Sequence, residues 1–455
     1  MRRTGRELGV LALIVAAAAV VYARSLHTAT NYDEGNYLAS LDALRHGQQL
    51  GKDVFLDQPP GWYLLLRVAA ALFGNSVTGV RTGLLVLALL GLVAAWAAAR
   101  RIAGPYAGLA AAAVLAVAPP YPTLAASVES DPPATVLALA SIALMLYARD
   151  RPGLLFAAGA VFALALSVKL FAIAAGLPLL ALALYRRRVS ALAWPAAGLA
   201  AVVAAYVLVY RNVLHQVWQG VFGAHLNARG GHAPVGESNL SRVVHLPDLH
   251  TPFGWIAVAA IVLSIVEIVR ARRLELWPLW LFTLGAVAFT LTMKPLLDHH
   301  LVLLATALAV PAGATIGRLP RLALVVLALF VCAGLYQERH RLARNDVPER
   351  PSYRWAAQVL ERRTAPGDLV VSDIPSIPYL AHRREPGQLI DTSIARIIDE
   401  YLKPADVLRL VDESHARAVV VGRNFLTKPA IVRGIAARYP VKLRNGEVTV
   451  YLRAR

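Results

Sequence analysis

What most limits this chain is a series of apolar stretches, each near the length that crosses a bilayer as a helix. Eleven are read, at 8–26, 78–99, 103–122, 132–148, 153–168, 170–186, 191–210, 252–270, 276–293, 300–317 and 321–337. A hydrocarbon core of ~30 Å takes about 20 residues of α-helix, and without water each backbone N–H and C=O must find its partner within the segment. The fold class expected is therefore a polytopic α-helical membrane protein with about 11 transmembrane helices. Composition agrees. Hydrophobic residues make up 57% of the 455 and charged ones 16%, well short of the roughly 25% charged residues with which a soluble domain covers its surface. Disorder and a disulfide-stapled fold are excluded by the same figures, and the lone Cys332 allows no bridge within the chain. The first run follows Met1-Arg2-Arg3, and with ten more behind it reads as a retained signal anchor.

Lysine and arginine near the span ends set orientation. With a cytoplasmic N-terminus, the short inner segments carry 15 cations, from Arg2, Arg3 and Arg6 through Arg100–Arg101, Arg149, Arg151, Arg186–Arg188, Arg270, Arg272 and Arg273 to Arg318 and Arg321. The longer outer segments before the tail carry 10. An odd number of spans then puts the C-terminal tail outside, in a cell-membrane protein. The net charge of +18 is thereby mostly topological, and no nucleic-acid role follows from it. All 12 histidines, and 11 of the 15 acidic residues before 339, fall outside on this reading. Longer outer loops account for part of that bias, and outward-facing chemistry would account for the rest.

Two regions are expected: a transmembrane domain, 1–338, with long outer loops at 27–77 and 211–251, and an α/β domain, 339–455. In the first loop, 37–46 and 61–73 read as amphipathic interfacial helices. In the tail, Asp368–Asp373 and Ala418–Gly422 look like buried strands, and Pro404–Ser414 and Pro429–Arg438 like helices opening at proline. Val441–Leu452 reads as a hairpin turning at Asn445-Gly446. No phosphate loop, metal-ligand spacing or nucleophile elbow is present in the tail.

Ionisable groups at a membrane border are costly and so mark candidate sites. Those on the outer side are Asp33, Glu34, Asp57, Glu129, Asp131, Lys169, Lys294, Asp298, His299 and His300. Each has a plainer reading. Asp33 suits the N-cap of the helix that follows it, Glu129-Ser130-Asp131-Pro132-Pro133 is an ordinary helix start, and Lys169 suits a snorkelling lysine between two spans. Two carboxylate pairs at the outer ends of neighbouring helices are less ordinary. Brought close, they would raise one another's pKa unless a cation or metal intervened.

These residues in this order resemble the GT-C superfamily of membrane glycosyltransferases, in its family 39 branch, related to protein O-mannosyltransferases and lipid A aminoarabinose transferase. The resemblance runs through the acidic pair Asp33-Glu34, Asp57-Gln58-Pro59-Pro60-Gly61-Trp62-Tyr63, Leu72-Phe73-Gly74, Arg81, Asp131 at a helix start, Lys169 and the outward tail. It implies an inverting transfer of a monosaccharide from a polyprenyl-phosphate donor to an extracytoplasmic acceptor (glycan, lipid or protein). Asp33 would be the general base and Glu34 its support. The family's Glu-Lys-Pro-Pro segment aligns with Asp57-Gln58-Pro59-Pro60. Glutamine replaces the lysine there, so the phosphate contact weakens or passes to Arg81, Lys169, Lys294 or His300, with Glu129, Asp131 and His299 nearby in the same outer set. A divalent metal between Asp33 and Asp131 stays open, since relatives differ on it. The competing reading is a transporter or flippase of lipid-linked intermediates. It is disfavoured because charges avoid mid-span positions and no internal repeat is visible.

Overall fold

The computed structural model describes residues 2–149, 151–185, 189–223, 238–246, 248–271, 275–294, 296–345, 347–392, 396, 402–422 and 425–454. Asp150, Arg186–Arg188, Arg272, Arg273, and His225 and His232 of the 211–251 loop lie outside them. The chain divides into two compact units. The first comprises Met1–Leu26, Val68–Val209 and Gly236–Asp346, and the second His27–Arg67, Tyr210–Val235 and Val347–Arg455. This partition differs from a single cut after residue 338, because most of the first long loop goes with the tail.

Every apolar run forms a helix, but the runs are unequal. Among the described residues, seven helices are long and apolar enough to cross a membrane: Gly5–His27, Val77–Ala103, Asp131–Ala148, Val189–Gly223, Pro252–Arg270, Asp298–Ile316 and Arg321–Asn345. The runs at 103–122, 153–168, 170–186 and 276–293 give the shorter helices Pro105–Leu115, Pro152–Val168, Leu170–Tyr185 and Trp277–Thr292. Punctuation in the sequence explains part of the shortening. Gly104 (φ +90°) and Pro105 start one helix afresh, and Lys169 stands in extended geometry (φ −156°, ψ 134°), closing Pro152–Val168 before a 3-10 segment, Leu170–Ala175.

Within the first unit, Leu301–Ile316 is buried along its whole length after the first residue, as expected of a helix that is apolar all round. Small residues permit its close approach to Pro105–Leu115. A Cβ on Gly313 would lie 2.6 Å from the Ala110 carbonyl oxygen, and one on Gly317 2.6 Å from the Ala107 Cα. Packing through glycine and alanine is how helices associate where lipid removes the hydrophobic drive.

The second unit contains the helix Tyr32–Arg45 and a four-stranded sheet, β1 (Val370–Ser372), β2 (Ala418–Val421), β3 (Val441–Asn445) and β4 (Val448–Leu452), in the order β1-β2-β4-β3. β1 and β2 are parallel, and the other pairs antiparallel. Strand alternation sends Val371, Val419 and Tyr451 to one face, where Val407, Val411, Ile431 and Ile435 of helices Pro404–Glu413 and Pro429–Arg438 cover them. Val370, Ala418, Val420 and Val450 point the other way, onto Tyr353, Ala356 and Leu360 of Pro351–Arg363. The hairpin sits one residue later than Asn-Gly suggests. Asn445 pairs with Val448, so Gly446 and Glu447 form the loop, with Gly446 at φ +59°, where a II′-type loop takes its glycine.

Candidate functional site

In the first unit, Ser130 precedes the helix that opens with Asp131-Pro132-Pro133, and proline there costs nothing because the first N–H groups have no helical partner. The aspartate is fully buried. Lys169, also buried and freed from its helix by the extended backbone at that residue, brings Nζ to 2.5 Å from Asp131 Oδ2, and its ammonium lies 5.6 Å from the Phe171 ring centre. The plain snorkelling reading of Lys169 does not hold, since its ammonium is paired with a buried carboxylate instead of reaching for water. Asp131 Oδ1 is buried without a hydrogen-bond partner among the described residues, so the carboxylate keeps one oxygen for something else.

His299 and His300 complete this cluster. They follow Asp298 in a 3-10 turn ahead of Leu301–Ile316, their rings meet edge-on at 4.2 Å, and His300 Nδ1 accepts the Leu297 N–H at 3.1 Å. Asp131, His299 and His300 each offer a ligand atom within 4.8 Å of the others. One carboxylate and two imidazoles suit a divalent first-row ion, and the unpartnered Oδ1 of Asp131 fits that use. An ion bound there would be held by these three residues and would supply positive charge for an anionic group. Asp33, expected to share a metal with Asp131, belongs to the second unit.

Other members of the expected set in this unit are placed as follows. Arg81 is buried and donates through Nη1 to the Ser25 and Leu26 carbonyls at 3.3 and 3.2 Å, satisfying the chain end after the first helix. Glu129 is buried beside Ser130. Lys294 is exposed, and Asp298 is paired with Arg242 at 3.0 Å. That arginine lies in Asn239–His245, whose Asn239 Nδ2 donates to the carbonyls of Thr290, Leu291 and Met293 at the end of Trp277–Thr292.

In the second unit, the helix carrying Asp33 starts at Tyr32, five residues before the expected 37, and its N-cap is Asn31 rather than Asp33. Asn31 Oδ1 accepts from Glu34 N at 2.8 Å and Glu34 Oε2 accepts from Asn31 N at 3.2 Å, a reciprocal capping box. Asp33 is thereby released from capping and stands half-buried in the first turn, where the helix dipole favours its negative charge. Asp57 accepts a short hydrogen bond from the Tyr63 hydroxyl, and the neighbouring Gln58 is buried. Burial, then the charges of Asp391 and Asp33, push the Asp57 carboxyl up to about 7, against the pull of the Tyr63 hydrogen bond.

Asp391 and Arg396 were not anticipated from the sequence. Arg396 donates to the Gln388 and Asp391 carbonyls at 2.6 and 2.8 Å and stacks 4.1 Å from the Phe55 ring centre. Burial lowers its pKa, against the pull of Asp391. Tyr32, next to Asp33, has its hydroxyl 3.4 Å from Asp391 Oδ1 and accepts from Thr392 N at 3.1 Å. The only local sign of these residues is a charge inside the apolar string Leu389-Ile390-Asp391-Thr392.

Residues 57–210 match the family model described as dolichyl-phosphate-mannose-protein mannosyltransferase. No match is found among curated proteins. Among solved structures, ArnT from Cupriavidus metallidurans bound to undecaprenyl phosphate is similar with a TM-score of 0.74 at 17% identity, over 97% of this chain and 98% of that one. Its apo state gives 0.69 at 17%, over 99% and 98%. The oligosaccharyltransferase AglB of Archaeoglobus fulgidus, in complex with an inhibitory peptide and a dolichol-phosphate, gives 0.58 at 12%, over 92% of this chain and 70% of that one. This chain thus carries, over nearly all of its length, the fold of the GT-C membrane glycosyltransferases.

Proposed function

We propose that this protein transfers a monosaccharide from a polyprenyl-phosphate donor to an extracytoplasmic acceptor, with Asp33 as general base. The observation that carries this reading is the cluster of the buried pair Asp131 and Lys169 with the half-buried His299 and His300. A polyprenyl phosphate is a good leaving group, and its departure needs fixed positive charge, worth most where water is excluded. Lys169 supplies that charge, the two imidazoles can each donate an N–H to the same phosphate, and Asp131 orients the lysine. Asp57, Gln58, Glu129 and Lys294 complete the expected binding set. The attacking hydroxyl needs a base. Asp33 suits that role because Asn31 and Glu34 take over the capping of its helix, and Glu34 supports it through that cap. The ArnT structure holds undecaprenyl phosphate and the AglB structure a dolichol-phosphate, which favours a lipid-linked donor here too. The basic short segments favour a cytoplasmic N-terminus with the tail outside the cell membrane.

The test uses the purified chain in proteoliposomes with a panel of undecaprenyl-phosphate hexoses and pentoses, scoring sugar transfer to candidate acceptors. Asp33→Asn should lower turnover by at least about 100-fold, in line with the loss of general-base assistance, with expression and thermal midpoint unchanged. Turnover equal to that of the unaltered chain would remove Asp33 from its role.

A further inference from the structure

The segment that presents Asp33 is held at several points by the C-terminal part of the same unit. Ala29 N donates to the Val347 carbonyl at 3.0 Å. Thr30 gives both its N–H and its hydroxyl to one oxygen, Glu349 Oε2, at 3.1 and 2.9 Å. Two residues on, the Tyr32 hydroxyl meets Asp391 Oδ1 and the Thr392 N–H. Gly35 then runs so close to the start of Ser376–Leu380 that a Cβ there would lie 2.7 Å from Ser376 N. Further along, Gln48 Oε1 accepts from Gly387 N at 3.1 Å, and Gln388 Nε2 donates to the Lys52 carbonyl at 2.9 Å. The contacts bracket Asp33 on both sides and come from parts of the tail that are far apart in sequence.

We infer that Glu349 and Tyr32 are positioning residues: the tail serves as the clamp that fixes the backbone on either side of Asp33. The inference rests on Asp33 as the base. Glu349 acts through Thr30, satisfying two donors just before the capping box, so the helix start cannot swing as a unit. Tyr32 acts through Asp391 and Thr392, fixing the residue next to the base. Displacing a reacting group by about 1 Å costs on the order of 100-fold in rate. Losing the clamp should therefore appear in turnover before it appears in donor binding. Glutamine at 349 keeps an amide oxygen for Thr30, whereas alanine does not, so the two variants separate hydrogen bonding from charge.

Hydrogen exchange of the full chain in detergent, read on peptides spanning 28–36, measures the hold without any substrate. Glu349→Ala combined with Tyr32→Phe should speed exchange there at least about tenfold, and Glu349→Gln should stay near the unaltered rate. Exchange unchanged in the double variant overturns the clamp. In the transfer assay with undecaprenyl-phosphate sugars, the double variant should lose about 10- to 100-fold in kcat with KM for the donor within about twofold, and Glu349→Gln should recover most of the loss. Faster exchange with unchanged kcat, where Asp33→Asn is inactive, overturns the positioning role. If Asp33→Asn retains full turnover, the base assignment falls and the positioning inference with it, while exchange still reports whether the tail grips this segment.

Discussion

Asp131 in the helical unit is buried and Asp57 in the second unit half-buried, and their surroundings handle the charge in opposite ways. Asp131 has one close cation, Lys169, at 2.5 Å. Asp57 has a tyrosine hydroxyl and feels the negative charges of Asp391 and Asp33. The difference lies in what each site can hold at neutral pH. A carboxylate paired with an ammonium keeps a fixed dipole and leaves an oxygen for a ligand. A carboxylate facing other carboxylates shares protons with them, so its region responds to pH. The first arrangement suits a permanent cation, the lysine itself or a metal, and the second a place where protons are exchanged.

The strongest way to break this contrast is to remove the cation. Lys169→Met should destabilise the chain by about 3–5 kcal/mol, the usual cost of stranding one member of a buried pair, read from denaturant unfolding in detergent. Lys169→Met combined with Asp131→Leu should restore most of that stability, because the desolvation cost of both charges disappears, while sugar transfer stays lost. A single-variant cost below about 1 kcal/mol would mean the pair behaves as a solvated surface bridge, and the two regions would no longer differ in kind.

Asp57 provides the next test, through pH. Its folded pKa of about 7 lies above the ordinary 3.8, so between these values the folded chain keeps a proton that the unfolded chain has lost. Stability should accordingly fall as pH rises through that window and level off above about 7. Asp57→Asn removes this dependence, and its thermal midpoint should change less between pH 5 and pH 8 than that of the unaltered chain. The groups facing Asp57 are Asp391, Asp33 and Tyr63, with Arg396 close enough to feel it. Equal slopes for variant and parent would show that Asp57 exchanges no proton in this window.

The two units also differ in how far the sequence revealed them. Apolar length is a local property, so each predicted span is a helix, and the proline-opened helices and buried strands of the tail fall within a residue or two of their expected bounds. Asp131, Lys169, His299 and His300 were singled out one by one as charges that lipid would not tolerate, and burial drives such groups together. What stayed hidden was non-local. Thr30 and Glu349 are 319 residues apart, and Tyr32 and Asp391 359, and no periodicity joins such pairs. The cap is an intermediate case. Asn31-Tyr32-Asp33-Glu34 fits the N-cap pattern with an acidic residue three positions on, so the signal was present, but Asp33 competes for the same role within the string.

That competition leads to the smallest effects and the sharpest distinction between adjacent carboxylates. Asn31→Ala should cost about 1 kcal/mol, as removal of a good N-cap usually does, and Asn31→Asp should cost almost nothing, because aspartate caps as well as asparagine. Glu34→Gln should be milder still, since glutamine also closes a capping box and keeps an oxygen to accept the Asn31 N–H as Glu34 Oε2 does. If Glu34 acts only as the cap, Glu34→Gln should keep turnover within about twofold in the same assay in which Asp33→Asn is inactive. A large loss in Glu34→Gln with an unchanged thermal midpoint would show that the negative charge of Glu34, and not only its hydrogen bond, serves the reaction, and would move the base from one residue to the pair.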